Sequence, residues 1–239
     1  LTDAFGAINL AGPNARSVLQ KLTDADVSNE AFPFMGYREF TIAETIPVRV
    51  MRLGFVGELS FEIHMLASLT QTVYDLLMEA GQALGIRAFG LEAQSALRME
   101  KGHVIIGQES EIRTTLHDLG LGFLWFREKP EAKAVGAVAL KQTEHQEGRL
   151  KLIGIRMEDA SSCPEDGSLS VDNEIRGFVC TARKSFTLKE SVGLALVESQ
   201  LAEKGTRLEI FGDGSGDARL YATVVPTPFY DPEGKRLRM

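Results

Sequence analysis

The sequence is short of the residue types that most readily announce a chemistry. Its 239 residues include two cysteines, Cys163 and Cys180. Two thiols make no disulfide framework, and these form no Cys-x-x-Cys redox pair. They fit reduced thiols in a cytoplasmic protein. Cys180 lies in an apolar, strand-like run, where a thiol packs as a small hydrophobe. The four histidines, His64, His103, His117 and His145, are scattered, and none is spaced with a second His or Cys as zinc ligands are. There is no Gly-x-Ser-x-Gly elbow and no Gly-x-Gly-x-x-Gly loop. Metalloenzyme and hydrolase readings are therefore poor, and no metal is expected. Positive charge is also scarce: the net charge of −7 argues against general nucleic-acid binding, which needs clustered Lys and Arg. No apolar run reaches membrane-spanning length, and the opening L-T-D-A-F-G carries no basic-then-apolar leader. An initiating Met is missing as well, which reads as a fragment or a processed chain. Neither an internal repeat nor a low-complexity tract is present.

What remains is ordinary globular composition, 44% hydrophobic and 25% charged. The length allows one large or two modest domains, each with its own core. Two stretches stand out. The first is Arg52–His64, R-L-G-F-V-G-E-L-S-F-E-I-H. Gly54 and Gly57 bracket a tight bend. Beyond it Leu59, Phe61 and Ile63 alternate with Ser60, Glu62 and His64, the period of a half-buried strand. Glu58 thus sits where a glycine turn hands over to a strand, a rigid position from which a carboxylate can grip two adjacent N–H donors. The pattern is equally that of a solvated turn glutamate. The second stretch is Gly90–Glu109, G-L-E-A-Q-S-A-L-R-M-E-K-G-H-V-I-I-G-Q-E.

Along the rest of the chain, Phe5–Leu10 reads as a strand that meets Gly12-Pro13. Pro13 is expected at the first position of a helix carrying Ala15, Val18, Leu19 and Leu22. Ser28–Gly36 is a loop anchored by Phe32 and Phe34. Arg38–Ile42 and Val48–Leu53 are strands. Ser68 with Gln71 suggests a capping box for a helix that buries Leu69, Val73, Leu76, Leu77, Ala80 and Leu84 and stops at Gly85. Leu91–Lys101 is a helix closed by Gly102, with Arg98 and Glu100 at its end. Arg98 there suits the helix dipole, a structural role that stands beside any part in a ligand site. His103–Ile106 reads as a strand, and Leu116–Phe126 as an extended run with Phe123 and Trp125 on one side. Glu128–Gly148 is a charged connection. Beyond it Leu150–Met157, Arg176–Arg183, Val192–Val197, Arg207–Phe211 and Ala218–Val225 are β-like runs separated by turn residues, which suggests a small barrel or sandwich.

The two blocks together resemble the folate-binding core of the aminomethyltransferase family, typified by the glycine cleavage T-protein. Family members read G-Y-T-G-E-x-G-[FY]-E-I and G-L-x-A-R-D-x-L-R-L-E-x-G; this chain has G-F-V-G-E-L-S-F-E-I and G-L-E-A-Q-S-A-L-R-M-E-K-G. Within that family it most resembles the C-terminal part of the sarcosine oxidase alpha subunit. The features are Ser28–Met35 (S-N-E-A-F-P-F-M), Glu100–Gln108 (E-K-G-x-x-I-x-G-Q), Asp118–Gly122 (D-L-G-L-G) and Phe229–Leu237 (F-Y-D-P-E-G-x-R-L). They run in the same order over nearly the whole chain.

The resemblance implies an α+β chain with an N-terminally incomplete folate-binding domain over residues 1–135 and a C-terminal β-barrel over residues 149–239. It implies tetrahydrofolate as cofactor and transfer of a one-carbon unit to it. Glu58 carries over as the pterin-binding carboxylate. Arg98 would shape the pocket, and Phe55 and Phe123 would line it, with Trp125 second to Phe123. The donor would be a small-molecule amine or a lipoyl-protein, and flavin oxidase subunits are possible partners. No catalytic residue is assigned, because the family aspartate lies upstream of the strand matching Phe5–Leu10, and Asp3 is not that residue. The family Tyr-Thr is Phe55-Val56 here, and Arg-Asp is Gln94-Ser95. Two alternatives follow: a folate-binding or interaction module without catalysis, or an iron–sulfur cluster assembly factor. The signature of the latter, K-G-C-[YF]-x-G-Q-E, meets His103 in place of its Cys.

Overall fold

Alternation of apolar residues along four strands sets the architecture of the N-terminal part. The computed structural model describes residues 2–125, 134–144, 146–164, 167–171, 173–211 and 219–239. The chain divides into two units, Leu1–Arg98 with Glu233–Met239, and Met99–Pro232. In the first, β1 (Phe5–Ala11), β2 (Tyr37–Ile42), β3 (Ile46–Met51) and β4 (Ser60–Leu66) form an antiparallel sheet in the order β1-β4-β3-β2. Successive side chains of a strand face opposite ways. Val48 and Val50 of β3 and Phe61, Ile63 and Met65 of β4 therefore share one buried face with Leu10 and Ile42. Helices α1 (Ala15–Gln20) and α2 (Thr70–Gly81) cover that face with Val18, Leu19, Val73 and Leu77. Each such side chain, fully buried, contributes about 1.5–3 kcal/mol relative to exposure. The start of β1 runs close under α2: a Cβ on Gly6 would fall 2.0 Å from Thr70 Oγ1.

Two helix starts differ from expectation. Pro13 lies in a Gly12–Asn14 turn closed by the Ala15 N–H on the Gly12 carbonyl (3.0 Å), and α1 begins at Ala15. The capping box does not form. A 3-10 turn over Ala67–Leu69 leads directly into α2, so Leu69 takes the cap position without a side-chain bond. Gln71 instead donates to Asp75 Oδ1 at 2.9 Å. The apolar face and the stop are as read, with Gly85 left-handed at φ +73°.

The second unit is built on a closed barrel of β5 (Leu150–Met157), β6 (Ser168–Val171), β7 (Glu174–Ser185), β8 (Glu190–Glu198), β9 (Arg207–Phe211) and β10 (Leu220–Val225), ordered β10-β5-β8-β7-β6-β9 and closed by β9 on β10. Ile155, Leu169, Val179, Ala195, Val197, Leu208, Ile210 and Ala222 fill its core. Closure gives each of these six strands a neighbour on both sides. Each of the five expected runs contains a strand; the last begins at Leu220, and Ala218, the first residue of that expected run, lies outside the described residues. The sixth, β6, is four residues of S-L-S-V with a register shift at Leu169/Ser170, too short and too polar to show a period.

Ahead of the barrel, helix α3 (Leu91–Glu100) ends before Gly102, which adopts φ +62°. His103–Ile106 is not a strand: Glu109 Oε2 takes the Ile105 N–H at 2.6 Å, and the Ile105 carbonyl accepts from Gln108 and Glu109, which closes a turn instead. Leu116–Trp125 is likewise a series of turns with a 3-10 helix over Gly122–Leu124, not an extended run. Within Glu128–Gly148 a short helix, α4 (Ala137–Thr143), forms, while residues 128–133 and His145 lie outside the described residues, as does Phe126. Two buried charges fasten this unit internally. Glu100 accepts from Ser185 Oγ at 2.6 Å, and Lys101 Nζ donates to the Tyr230 carbonyl and to Asp231 Oδ2, each at 3.2 Å.

Asp118 ties the turns before the barrel to the start of β5. Its carboxylate accepts from Arg149 Nε at 2.8 Å and from a second Arg149 nitrogen, and from the Thr115 N–H (2.7 Å) and hydroxyl (2.8 Å). Burial works to raise its pKa, but the bonds from Arg149 and Thr115 outweigh that and hold the carboxyl below its ordinary 3.8. A depressed carboxyl stabilises the fold above its unfolded pKa, and the contribution is lost as pH falls through the folded value. Asp118→Asn should therefore cost about 3 kcal/mol at neutral pH, the usual consequence of breaking a buried pair from one side. In urea unfolding of wild type and variant, that gap should stay constant down to about pH 5 and close as pH falls below the ordinary carboxylate range.

Candidate functional site

The Arg52–Leu59 segment leaves the sheet after β3 and rejoins it at β4, carrying Glu58 across the gap. Its backbone is pinned at both ends. The Arg52 N–H donates to the Gly36 carbonyl (2.9 Å), the Met35 N–H to the Arg52 carbonyl (2.8 Å), and the Gly12 N–H to the Leu59 carbonyl (2.9 Å). Gly57 takes φ +84°, a conformation costly for other residues. Gly54 serves close approach: a Cβ there would meet the Glu58 carbonyl oxygen at 2.7 Å and Leu237 Cδ2 at 2.8 Å. The expected glycine corner is present, and it folds against a segment nearly two hundred residues downstream.

Arg52 is fully buried beneath this corner. Its guanidinium donates to the Phe32 carbonyl at 2.7 Å and to the Met239 carbonyl, which also accepts from Arg16 Nη2 at 2.6 Å. Burial, and next the positive charge of Arg16, lower the Arg52 pKa from its ordinary value. Arg38 lies 5.9 Å from the ring of Phe32, an aromatic anchor of the Ser28–Gly36 loop, and Arg16 lies 5.7 Å from the Phe61 ring.

Glu58 presents its two carboxylate oxygens differently. Oε1 accepts from Arg236 Nη1 at 2.9 Å. Oε2 is buried and meets no hydrogen-bond donor among the described residues; Ser60 Oγ and Arg52 Nε, nearby in the chain, are likewise buried without a hydrogen-bond partner among them. The Glu58 side chain as a whole is 20% exposed, so it is no solvated turn residue. A buried acceptor without a donor costs about 1–3 kcal/mol, more when charged, and such groups mark places where a water or ligand belongs. A carboxylate in this setting can take an N–H donor, or a side-by-side pair of them, from a bound molecule. Among the described residues no cluster of His, Cys, Asp and Glu could hold a metal ion, and no helix is long and apolar enough to cross a membrane.

Of the other candidate residues, Phe55 is half-buried on the Glu58 loop, and Arg98 is 1% exposed in the last turn of α3, within the same unit. Phe123 belongs to the second unit, 75% exposed on the Gly122–Leu124 turn. A cavity of about 560 Å³ opens in the first unit beside β1, lined by residues that include Asn9, Asn14, Tyr74, Arg87, Phe89 and Gln94. Glu58, Phe55, Arg98 and Phe123 are not among its lining residues. We give the loop geometry more weight than this hollow, because the loop presents an unsatisfied buried acceptor. Sequence reasoning missed Arg236, whose only signal was its place in the F-Y-D-P-E-G-K-R-L run.

Comparison with known proteins bears on both units. A family model described as the GCVT N-terminal domain matches residues 1–129, and one described as the glycine cleavage T-protein C-terminal barrel domain matches residues 151–231. The chain is 35% identical over its full length to mitochondrial dimethylglycine dehydrogenase of Mus musculus, of which it spans 27%. It is 37% identical, over 92% of its length, to an aminomethyltransferase of Geobacillus thermodenitrificans, of which it spans 59%. The crystal structure of the glycine cleavage system aminomethyltransferase T from Bartonella henselae superposes with a TM-score of 0.83 at 20% identity, over 95% of this chain and 60% of that one. This last likeness is one of fold.

The corner geometry carries a direct expectation. Gly54→Ala should destabilise the protein by about 1–3 kcal/mol, because the new methyl group has nowhere to go without moving the Glu58 carbonyl or Leu237. Thermal unfolding reads the loss; a variant as stable as wild type would show that the corner can open freely.

Proposed function

The chain belongs to the glycine cleavage T-protein (aminomethyltransferase) family, and from that premise we propose that the protein carrying it binds tetrahydrofolate and passes a one-carbon unit to it. The observation that carries the proposal is the Glu58 carboxylate, held by a rigid loop with Oε2 buried and without a donor. A pterin ring offers an exocyclic amine and a ring N–H on one edge, the donor pair that such a carboxylate accepts. The residues present thus fit the group.

In this reading Glu58 accepts from the pterin edge and fixes its orientation. Phe55, on the same loop, supplies flat apolar surface, and Arg98 shapes the pocket from the end of α3 within the same unit. When bound, tetrahydrofolate supplies the nitrogen nucleophiles that take up a one-carbon unit. One relative is named for aminomethyl transfer and another for dehydrogenation of dimethylglycine, and both names place an amine carrying a one-carbon group at the reaction. The donor is accordingly a small-molecule amine or a lipoyl-protein, with flavin oxidase subunits as partners in the former case. No residue of this chain is assigned to the chemical step.

The experiment is titration of 5-formyltetrahydrofolate, a stable reduced folate, into the full-length protein and its Glu58→Gln variant. Losing a charge-assisted pair should weaken binding roughly 10- to 100-fold. An affinity within about twofold of wild type removes Glu58 from the site. Formation of methylenetetrahydrofolate from sarcosine or dimethylglycine, against formation only with a lipoyl-protein, separates the two donors.

A further inference from the structure

We infer that Arg236 is the residue that positions the Glu58 carboxylate for its ligand, an inference that rests on the functional reading above. The segment Glu233–Met239 packs into the first unit although it lies far downstream in the chain. Three contacts fasten it along its length. Leu237 Cδ2 occupies the space over Gly54 where a Cβ would sit. The Met239 carbonyl accepts from both Arg16 and Arg52. Between the start of the segment and those anchors, Arg236 Nη1 donates to Glu58 Oε1 at 2.9 Å. Anchored directly downstream by Leu237 and Met239, the backbone carrying Arg236 is already ordered, so the arginine loses less freedom in making the bond than a loose surface side chain would.

The form of the contact separates positioning from occlusion. A guanidinium that stood in for a ligand's donor pair would take both carboxylate oxygens in a parallel fork. Here it takes one. Oε1 is held in the protein, and Oε2 is left buried and open to a donor. Arg236 thereby fixes the orientation of the carboxylate, and the partial exposure of its own side chain, 44%, leaves it peripheral to the buried end of the site. The chain departs from the family pattern at Phe55-Val56, where two hydroxyls are lost; a cation reaching the same carboxylate from the 233–239 segment is the orienting contact the loop itself does not supply.

The test is a double-mutant cycle on the full-length protein, with 5-formyltetrahydrofolate as probe and calorimetric affinity as readout. Arg236→Met keeps the aliphatic stem and should weaken binding about tenfold; Arg236→Lys keeps the charge and a donor and should stay within about threefold of wild type. In a Glu58→Gln background, Arg236→Met should cost no further affinity, which a general structural loss would not reproduce. Equal weakening in both backgrounds, no effect in wild type, tighter binding, or failure of lysine to rescue would each overturn the inference. If wild type shows no measurable affinity, the folate reading falls; if wild type binds and Glu58→Gln leaves affinity unchanged, Glu58 leaves the site and this inference falls with it; if only the Arg236 variants depart from expectation, the folate reading stands. Arg236 is a surface-reaching side chain, and thermal unfolding of each variant confirms that the fold is retained.

Discussion

The candidate site depends on a glycine corner braced from the far end of the chain. Residues 52–59 make no regular structure of their own. Their shape comes from the absence of a Cβ at Gly54, which admits Leu237, and from Arg52, which reaches under the loop to the carbonyls of Phe32 and Met239. A guanidinium with no exposed surface is expensive to desolvate, and neutral carbonyls compensate only part of that cost. Such an arrangement persists where several segments must be brought to one point: here the Ser28–Gly36 loop, the end of β3 and the 233–239 segment meet on a single side chain. Glu58 is aimed because that junction is rigid.

The two units divide the work differently. In the first, a sheet with one covered face supplies alternating scaffolding, and the candidate carboxylate, Glu58, sits on the connection between β3 and β4. In the second, barrel closure gives each strand two neighbours, and charged side chains act as internal fasteners: Glu100 on Ser185, Lys101 on Asp231, Asp118 on Arg149. The overall negative charge of the chain gives no hint of these local pairings. Family relatives that catalyse differently named reactions share both units, which agrees with a common scaffold whose outcome is set by what is attached to it and by the residues on its loops.

Much of the fold was legible from periodicity. The β4 alternation, the apolar stripe of α2 and the left-handed glycines at 85 and 102 all act within a few residues of themselves, and each reappears in the structure. The misreadings share one cause, a competing partner outside the window. Gln71 looked like a cap until Asp75 offered its carboxylate one turn on. His103–Ile106 had strand composition, but the Glu109 side chain took the Ile105 amide and turned the chain back. Phe123 and Trp125 looked like alternating strand positions, whereas a 3-10 turn carries Phe123 and ends before Trp125. In β6, a bulge offsets the pairing of a strand already too short to read.

By itself the sequence determined the class of the fold, the positions of most strands and helices, and the carboxylate most worth watching, because burial pattern, glycine placement and family motif are properties of short windows. The tertiary structure alone decided that Glu58 has one oxygen engaged by Arg236 and one buried without a donor among the described residues, and that Arg52 is a hidden junction. Those facts depend on residues brought together across the whole chain, and a hydrogen bond has no signature in a sequence until folding has chosen both of its ends.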